Sequence, residues 1–160
     1  MALKKTRIGG IMHSEGLALV GVLAIPSRPG VAGRILSALG DKQINVQFIV
    51  QTVDHVGRDH VVFCICQDDL AETLNLLQPV REAVLARDVV HETGIGTVSV
   101  FGPDFRQRPG IAGQMFAALG RIDINIKAIS TSTSTITCVI PGDRVADAIK
   151  ALEDTFEVPC

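Results

Sequence analysis

The feature that most constrains this chain is an internal repeat. Residues 28–52 read RPGVAGRILSALGDKQINVQFIVQT, and residues 108–132 read RPGIAGQMFAALGRIDINIKAISTS. The two segments align without a gap at an offset of 80 residues, and 11 of the 25 positions are identical. Self-similarity at one long offset is typical of a duplicated structural unit. The chain of 160 residues is therefore predicted to contain two units of roughly 80 residues each.

Each copy of the repeat combines a Pro-Gly turn, a helix and the start of a strand. Apolar residues recur at helical spacing after the turn, which predicts a short amphipathic helix in both copies. We expect Ser27 to cap the first helix and Gly40 to end it. An Ile-Asn pair then opens a β-branched run, and we expect Asn45 to lie beside the Pro-Gly loop at one end of the unit.

The predicted order of elements in the first unit is β-α-β-β-α-β. Its strands are predicted at residues 17–24, 45–52, 59–66 and 88–92, and its helices follow Pro29 and Asp68. This order is that of the ferredoxin-like motif, an α+β fold with an antiparallel sheet and helices on one face. The second unit repeats the order but leaves only residues 156–158 for its last strand.

The missing strand of the second unit has a candidate at the N-terminus. A sheet that lacked this strand would leave an exposed edge, which natural sheets avoid. Residues 6–12 form an extended candidate that precedes the first unit. We therefore predict a first domain at residues 15–93, inserted into a second domain made of residues 1–14 and 94–160.

Composition excludes several classes of partner. The net charge is −2 without a run of like charge, which argues against nucleic-acid binding. The longest apolar run, residues 17–26, is too short to cross a bilayer. Without a secretory signal pattern, a cytoplasmic location is the expectation. The four cysteines are predicted to be buried small hydrophobes, because their spacing suits neither a disulfide framework nor a metal site.

Catalytic motifs are absent from the sequence. It contains no phosphate-loop, dinucleotide-binding or nucleophile-elbow pattern. Its four histidines, His13, His55, His60 and His91, fall in predicted loops or strand ends without a recurrent partner for acid–base work. We therefore predict a protein that is not an enzyme and has no catalytic residues, metal or cofactor.

The repeated loop is the best candidate for a binding site. A helix N-terminus after a Pro-Gly turn offers unpaired backbone N–H groups and positive potential, which suit a carboxylate. Gly30 and Gly110 leave room for a ligand to approach the backbone, and Asn45 and Asn125 supply amide groups. The alternative is that these residues only cap helices and strands. The occurrence of the same pair twice favours a binding site.

These segments resemble the tandem ACT domains of the aspartokinase regulatory region. The resemblance covers about residues 7–157, and the second-unit segment RQRPGIAGQMF followed by INIKAISTS is its most specific part. It implies two ferredoxin-like ACT domains that associate as a homodimer. It also implies a feedback amino acid, such as threonine or lysine, bound at an interface between ACT domains. This sequence contains no kinase domain, so we expect a separate regulatory subunit, an excised regulatory region or a freestanding sensor. A catalytic aspartokinase chain is a candidate partner.

The resemblance also implies which residues bind the effector. Backbone groups of the loop would hold its carboxylate, and two amide side chains would contact its polar groups. The implied residues are Ser27, Gly30, Val31, Ala32 and Gln51 in the first unit and Ala112, Asn125 and Ile126 in the second. Ser27 stands where the family commonly has aspartate, and a lost charge-assisted hydrogen bond weakens binding by about one or two orders of magnitude. This difference weakens the case for threonine.

Two other functions compete with this interpretation. One is a regulatory subunit of another amino-acid enzyme, in branched-chain or glycine metabolism, because such subunits also resemble ACT proteins. The other is an acylphosphatase-like enzyme, in which Arg28 with Asn45, or Arg108 with Asn125, would bind the acyl phosphate. The missing glycine-rich phosphate loop argues against the enzyme.

Overall fold

The computed structural model describes residues 4–160, so residues 1–3 of the predicted second domain lie outside the described residues. The chain divides into two compact units. Residues 16–94 form one of them, called here the continuous unit. Residues 95–160 and the segment that ends at Glu15 form the other, called here the discontinuous unit. The division falls one residue from each boundary that the sequence suggested.

The continuous unit has the ferredoxin-like order. Its elements are β2 (Gly10–Pro26), α1 (Val31–Asp41), β3 (Phe48–Val53), β4 (Arg58–Cys66), α2 (Leu70–Val84) and β5 (Asp88–Phe101). The strands are hydrogen-bonded in the order β3-β4-β2-β5, and β4 is antiparallel to both β2 and β3. Strands β2 and β5 extend past the ends of the unit.

One face of α1 packs into the core of the continuous unit. Val31, Ile35 and Leu39 recur at helical spacing, and all three are buried against alternating residues of β2 and β4 such as Val20 and Phe63. Burial of each such side chain stabilises the fold by about 1.5–3 kcal/mol. This packing holds the N-terminus of α1 beside the ends of β3 and β4.

The discontinuous unit repeats this architecture with its own core. Its elements besides β5 are β1 (Thr6–Arg7), α3 (Ile111–Arg121), β6 (Ala128–Thr131), β7 (Thr135–Pro141), α4 (Val145–Thr155) and β8 (Phe156–Glu157). Within this unit, β7 is antiparallel to both β5 and β6. Ile111, Met115 and Leu119 of α3 pack on β5 and β7, as their counterparts in α1 pack on β2 and β4.

The N-terminal segment pairs within the discontinuous unit. β1 lies parallel to β8, and the Ile8 N–H donates to the Glu157 carbonyl at 3.0 Å. The Gly9 N–H donates to the Phe101 carbonyl at 2.6 Å. The strand expected at residues 6–12 is thus interrupted, because β1 ends at Arg7 and β2 begins at Gly10.

Several element boundaries differ from the expectations. Residues 88–92 were expected as the last strand of the first unit, but β5 continues to Phe101 because residues 95–101 pair with β7. Helix α1 does not end at Gly40 but runs to Asp41. The left-handed residue after this helix is Gln43, with φ 56°, and its N–H donates to the Gly40 carbonyl.

The cysteines divide into two environments. Cys64 and Cys138 are buried, and burial raises the pKa of each thiol to about 12. Cys66 is half-buried and Cys160 is exposed, so the expectation of burial was wrong for Cys160, which lies past the last strand.

Among residues 4–160, no group of His, Cys, Asp or Glu side chains could hold a metal ion. No helix in this range is long and apolar enough to span a bilayer.

Candidate functional site

The first turn of α1 is an open helix N-terminus. Gly30 precedes the helix with φ 92° and ψ −4°, and no side chain caps it. The first bond of the helix joins the Arg34 N–H to the Gly30 carbonyl at 3.0 Å, so the N–H groups of Val31, Ala32 and Gly33 precede it. A Cβ on Gly30 would meet no atom within 4 Å. A small anion can therefore approach these N–H groups.

Ser27 does not cap this helix, so that expectation was wrong. The helix starts at Val31, which leaves Ser27 too far upstream to be its N-cap. Instead, the Ser27 N–H donates to the Gly57 carbonyl at 3.1 Å and joins the loop to the β3–β4 hairpin. Ser27 still belongs to the surface around the helix N-terminus.

A cleft of about 520 Å³ surrounds this N-terminus, within the range of roughly 300–1,000 Å³ that small-molecule sites occupy. All five residues that the sequence suggested in this unit line it. The complete lining is Ser27, Arg28, Pro29, Gly30, Val31, Ala32, Gly33, Gln51, Val53 and Asp59.

Gln51 reaches the cleft from the edge strand β3. It pairs with Val61 across the sheet, and Val53 pairs with Asp59. Directly paired residues share a face of a sheet, and Val61 belongs to the core against α1. Gln51 and Asp59 therefore lie on the helix-facing side, as diagonal neighbours.

Asp59 is the residue of this cleft that the sequence analysis missed. Its exposed fraction is 2%, and its Oδ1 atom has no hydrogen-bond partner among the described residues. The sequence does carry a signal for it. Asp59 alternates in phase with Val61 and Phe63, so strand periodicity places it with the core, where a charged residue is rarely found unpaired.

The neighbouring hairpin fixes the direction of Asp59. Arg58 and His60 both bond to Asp54, at 3.1 Å and 3.0 Å, so they lie on the opposite face of β4. The His60 side chain, together with the N–H groups of Arg58 and Val56, holds the pKa of Asp54 well below its usual range. Hydrogen bonds that favour the charged form cause this shift.

A β-bulge in β2 adjusts the register next to Asp59. Ala24 has φ 54°, and its N–H donates to His60 Nδ1 at 3.2 Å. The register of β2 against β4 shifts between Val22 and Ile25, so that Ile25 pairs with Asp59. Bulges of this kind redirect side chains and are common beside functional sites.

The suggested residues of the second unit do not cluster within that unit. Ala112 is half-buried in the first turn of α3, whereas Asn125 and Ile126 follow its C-terminal end. The Ile124 N–H donates to the Leu119 carbonyl, which places this segment at the C-terminus of α3. An 11-residue helix is about 16 Å long, so Ala112 and Asn125 lie at opposite ends.

The same geometry corrects the expectation for Asn45. The Ile44 N–H donates to the Leu39 carbonyl, so Asn45 follows the C-terminus of α1 rather than lying beside Gly30. The error arose because the chain must travel the length of α1 before it turns into β3. Gln51, near the far end of β3, approaches the Pro-Gly loop instead.

Both loop arginines are engaged by protein acceptors. The Arg28 guanidinium donates to the Ala83 carbonyl at 2.9 Å. The Arg108 guanidinium contacts both carboxylate oxygens of Asp104, each at 3.2 Å. An acylphosphatase-like site needs a free guanidinium for phosphate, so this geometry does not favour that alternative.

Comparison with known families identifies a domain in each unit. The ACT domain model matches residues 20–82, and a second ACT domain model matches residues 98–156. The chain therefore belongs to the ACT-domain family and carries two copies of the domain.

Within that family, its relatives are aspartokinases. The aspartate kinase Ask_LysC of Stutzerimonas stutzeri strain A1501 is 32% identical over 157 residues, which are 98% of this chain and 38% of that protein. The aspartokinase of Pseudomonas aeruginosa is 31% identical over the same shares. The chain thus spans little more than a third of the length of these relatives.

Solved structures give the same result. The ligand-free regulatory subunit of aspartate kinase from Thermus thermophilus has a TM-score of 0.85 and 28% identity, over 95% of this chain and 100% of that one. Aspartate kinase from Synechocystis has a TM-score of 0.86 and 30% identity, over 98% of this chain and 28% of that one. This chain is similar to the regulatory subunit over nearly all of both chains.

Proposed function

We propose that this chain is an amino-acid-binding regulatory protein of the aspartokinase type. The observation that carries the proposal is the cleft at the N-terminus of α1, where Ser27, Gly30, Val31, Ala32 and Gln51 meet. Similarity to the regulatory subunit of aspartate kinase from Thermus thermophilus supports it. In this proposal the chain binds a small amino acid such as threonine or lysine and has no catalytic role of its own.

The proposed binding mode follows from the chemistry of the cleft. The effector carboxylate accepts hydrogen bonds from the first-turn N–H groups of α1, because they have no intrahelical partner and carry positive potential. The Gln51 amide contacts the polar end of the effector. The site lies at an interface between ACT domains, where Asn125 and Ile126 of an opposing domain contact the same effector. Ala112 is left out because it lies at the other end of α3.

Homodimer formation through ACT domains, a cytoplasmic location and association with a catalytic aspartate kinase chain belong to the same proposal. The shared similarity to aspartokinases supports this partner over enzymes of branched-chain or glycine metabolism. Effector binding then shifts the population between states of the kinase in proportion to its differential affinity for them.

Calorimetry on the full 160-residue chain tests the proposal. Lysine, threonine, methionine and the branched-chain amino acids are titrated separately. At least one is expected to bind with a dissociation constant below about 1 mM, which corresponds to about −4 kcal/mol. No heat of binding from any of them at millimolar concentration would reject the proposal for these ligands.

A matched pair of variants locates the site. Gly30→Val places a branched side chain in the open space at the N-terminus of α1, and Gly110→Val makes the same change at α3. The backbone strain is the same in both variants because φ is 92° and 94°. Only Gly30→Val is expected to abolish the heat of binding, provided that circular dichroism shows both variants folded. Loss of binding in Gly110→Val alone would move the site to the discontinuous unit.

A further inference from the structure

Asp59 is a buried carboxylate that forms no ion pair with any described residue. Only 2% of the residue is exposed, and its Oδ1 atom has no hydrogen-bond partner in the described part of the chain. A buried ionised group is costly unless it is paired and hydrogen-bonded. A buried carboxylate of this kind is stabilised when a bound ligand supplies the missing cationic group.

The basic side chains nearest to Asp59 along the strand and loop are engaged elsewhere. Arg58 bonds to Asp54 at 3.1 Å, and Arg28 bonds to the Ala83 carbonyl at 2.9 Å. His60 contacts Asp54 through Nε2, and its Nδ1 accepts a hydrogen bond from the Ala24 N–H. None of these three groups neutralises Asp59.

Asp59 and the open N-terminus of α1 line the same cleft with opposite polarity. The helix offers N–H groups at Val31 to Gly33, and the strand offers a carboxylate. A ligand that carries both a carboxylate and an ammonium group can bind both, with its carboxylate at the helix N–H groups and its ammonium group at Asp59. Among the described residues that line this cleft, Asp59 is the only acidic one, and Ser27 carries no charge.

We propose that Asp59 binds an ammonium group of the amino acid whose carboxylate lies at the N-terminus of α1, and so determines the ligand specificity of this cleft. The inference rests on the proposed function above. The related proteins commonly have an aspartate in the loop, where this chain has Ser27. In this proposal, Asp59 on β4 supplies the negative charge instead. The preferred ligand is then a zwitterionic or cationic amino acid rather than a simple carboxylic acid.

The central test is calorimetry with Asp59→Asn in the full chain. Asparagine keeps the shape of the side chain but removes its charge, so affinity for the best amino acid is expected to fall by about 10- to 100-fold. The matched control is Asp41→Asn, which removes the same charge from the exposed C-terminal end of α1. The control is expected to keep wild-type affinity.

Ligand analogues test the same contact without a change in the protein. The 2-hydroxy acid analogue of the best ligand lacks the α-ammonium group, and norleucine lacks the ε-ammonium group of lysine. One of these deletions is expected to weaken binding to the wild type about 10- to 100-fold and to have little effect on Asp59→Asn. The deletion that does so identifies which ammonium group Asp59 contacts.

Urea unfolding without ligand separates a binding role from a structural one. Removal of an unpaired buried charge is expected to leave the midpoint unchanged or to raise it. A midpoint lowered well below that of Asp41→Asn would indicate a structural role and overturn the inference.

The failures of the two proposals are distinguishable. If the wild type binds an amino acid and Asp59→Asn binds it equally well, the assignment to Asp59 is wrong and the regulatory function stands. If analogues without an ammonium group bind the wild type as tightly as the amino acid, the assignment also fails. If the wild type binds no amino acid, both proposals fall together.

Discussion

The N-termini of α1 and α3 have nearly the same backbone and different side-chain chemistry. Gly30 and Gly110 precede these helices with φ 92° and 94°, and each helix has 11 residues. The first bond of each helix is 3.0 Å long, from Arg34 to Gly30 and from Gln114 to Gly110. The duplicated loop therefore conserves an open helix N-terminus in both units.

The acidic groups near these two helices differ in their partners. In the discontinuous unit, Asp104 precedes α3 and pairs with Arg108. In the continuous unit, Asp59 lines the cleft, and none of the described residues bonds to its Oδ1 atom. The acidic residue before α3 therefore has a counterion, whereas Asp59 on β4 has none in the described part of the chain. The binding proposed above depends on this difference between the two units.

Truncation of equivalent core residues should produce the largest effect and should not distinguish the units. Leu39→Ala and Leu119→Ala each remove a fully buried side chain at the same point of the repeat. Each is expected to lower the free energy of unfolding by about 2–5 kcal/mol. Urea unfolding followed by circular dichroism measures this free energy, since the chain has no Trp or Tyr for fluorescence. If the losses in the two variants differed by more than about 2 kcal/mol, the two cores would not be equivalent.

Alanine at the two loop glycines should separate stability from binding. Both positions have positive φ, so Gly30→Ala and Gly110→Ala are each expected to lower the free energy of unfolding by about 1–2 kcal/mol. Only Gly30→Ala is expected to weaken amino-acid binding as well, because its Cβ lies beside the cleft. Equal losses of affinity in both variants would contradict the difference between the loops.

The smallest expected effect concerns the acid sensitivity of the two hairpins. The pKa of Asp54 lies below its usual range because His60 and backbone N–H groups bond to the carboxylate. Its stabilisation is therefore complete above the unfolded pKa of about 3.9 and is lost as the pH falls through the folded pKa. Asp54→Asn is expected to flatten the decline of stability below about pH 4.

The hairpin between β6 and β7 in the discontinuous unit provides the control. There Ser132 Oγ accepts the Thr135 N–H at 3.1 Å, and a hydroxyl does not titrate in acid. Ser132→Ala is expected to leave the pH dependence of urea unfolding unchanged. An unchanged pH dependence in Asp54→Asn would show that other carboxylates determine the acid sensitivity.

Local patterns identified much of the fold and part of the site. The repeat, the helical spacing of Val31, Ile35 and Leu39, and the Pro-Gly turn depend on residues close in sequence, so they were readable without coordinates. Helix ends were less accurate, because Gly40 lies within the last turn and Gln43 adopts the left-handed conformation instead. Backbone energies of single residues compete there with the hydrogen bonds of the whole turn.

The sequence by itself determined the duplicated ferredoxin-like architecture, the open N-terminus of α1 and the residues of its loop. Tertiary structure decided the rest of the cleft. The bulge at Ala24 and the pairing of β3 with β4 bring Val53 and Asp59 to that helix, while the length of α1 keeps Asn45 away from it. These relations depend on strand register and helix length, which join residues far apart in sequence. The unpaired Oδ1 atom of Asp59 is likewise a property of the packed fold, because Arg28, Arg58 and His60 each bond to other groups.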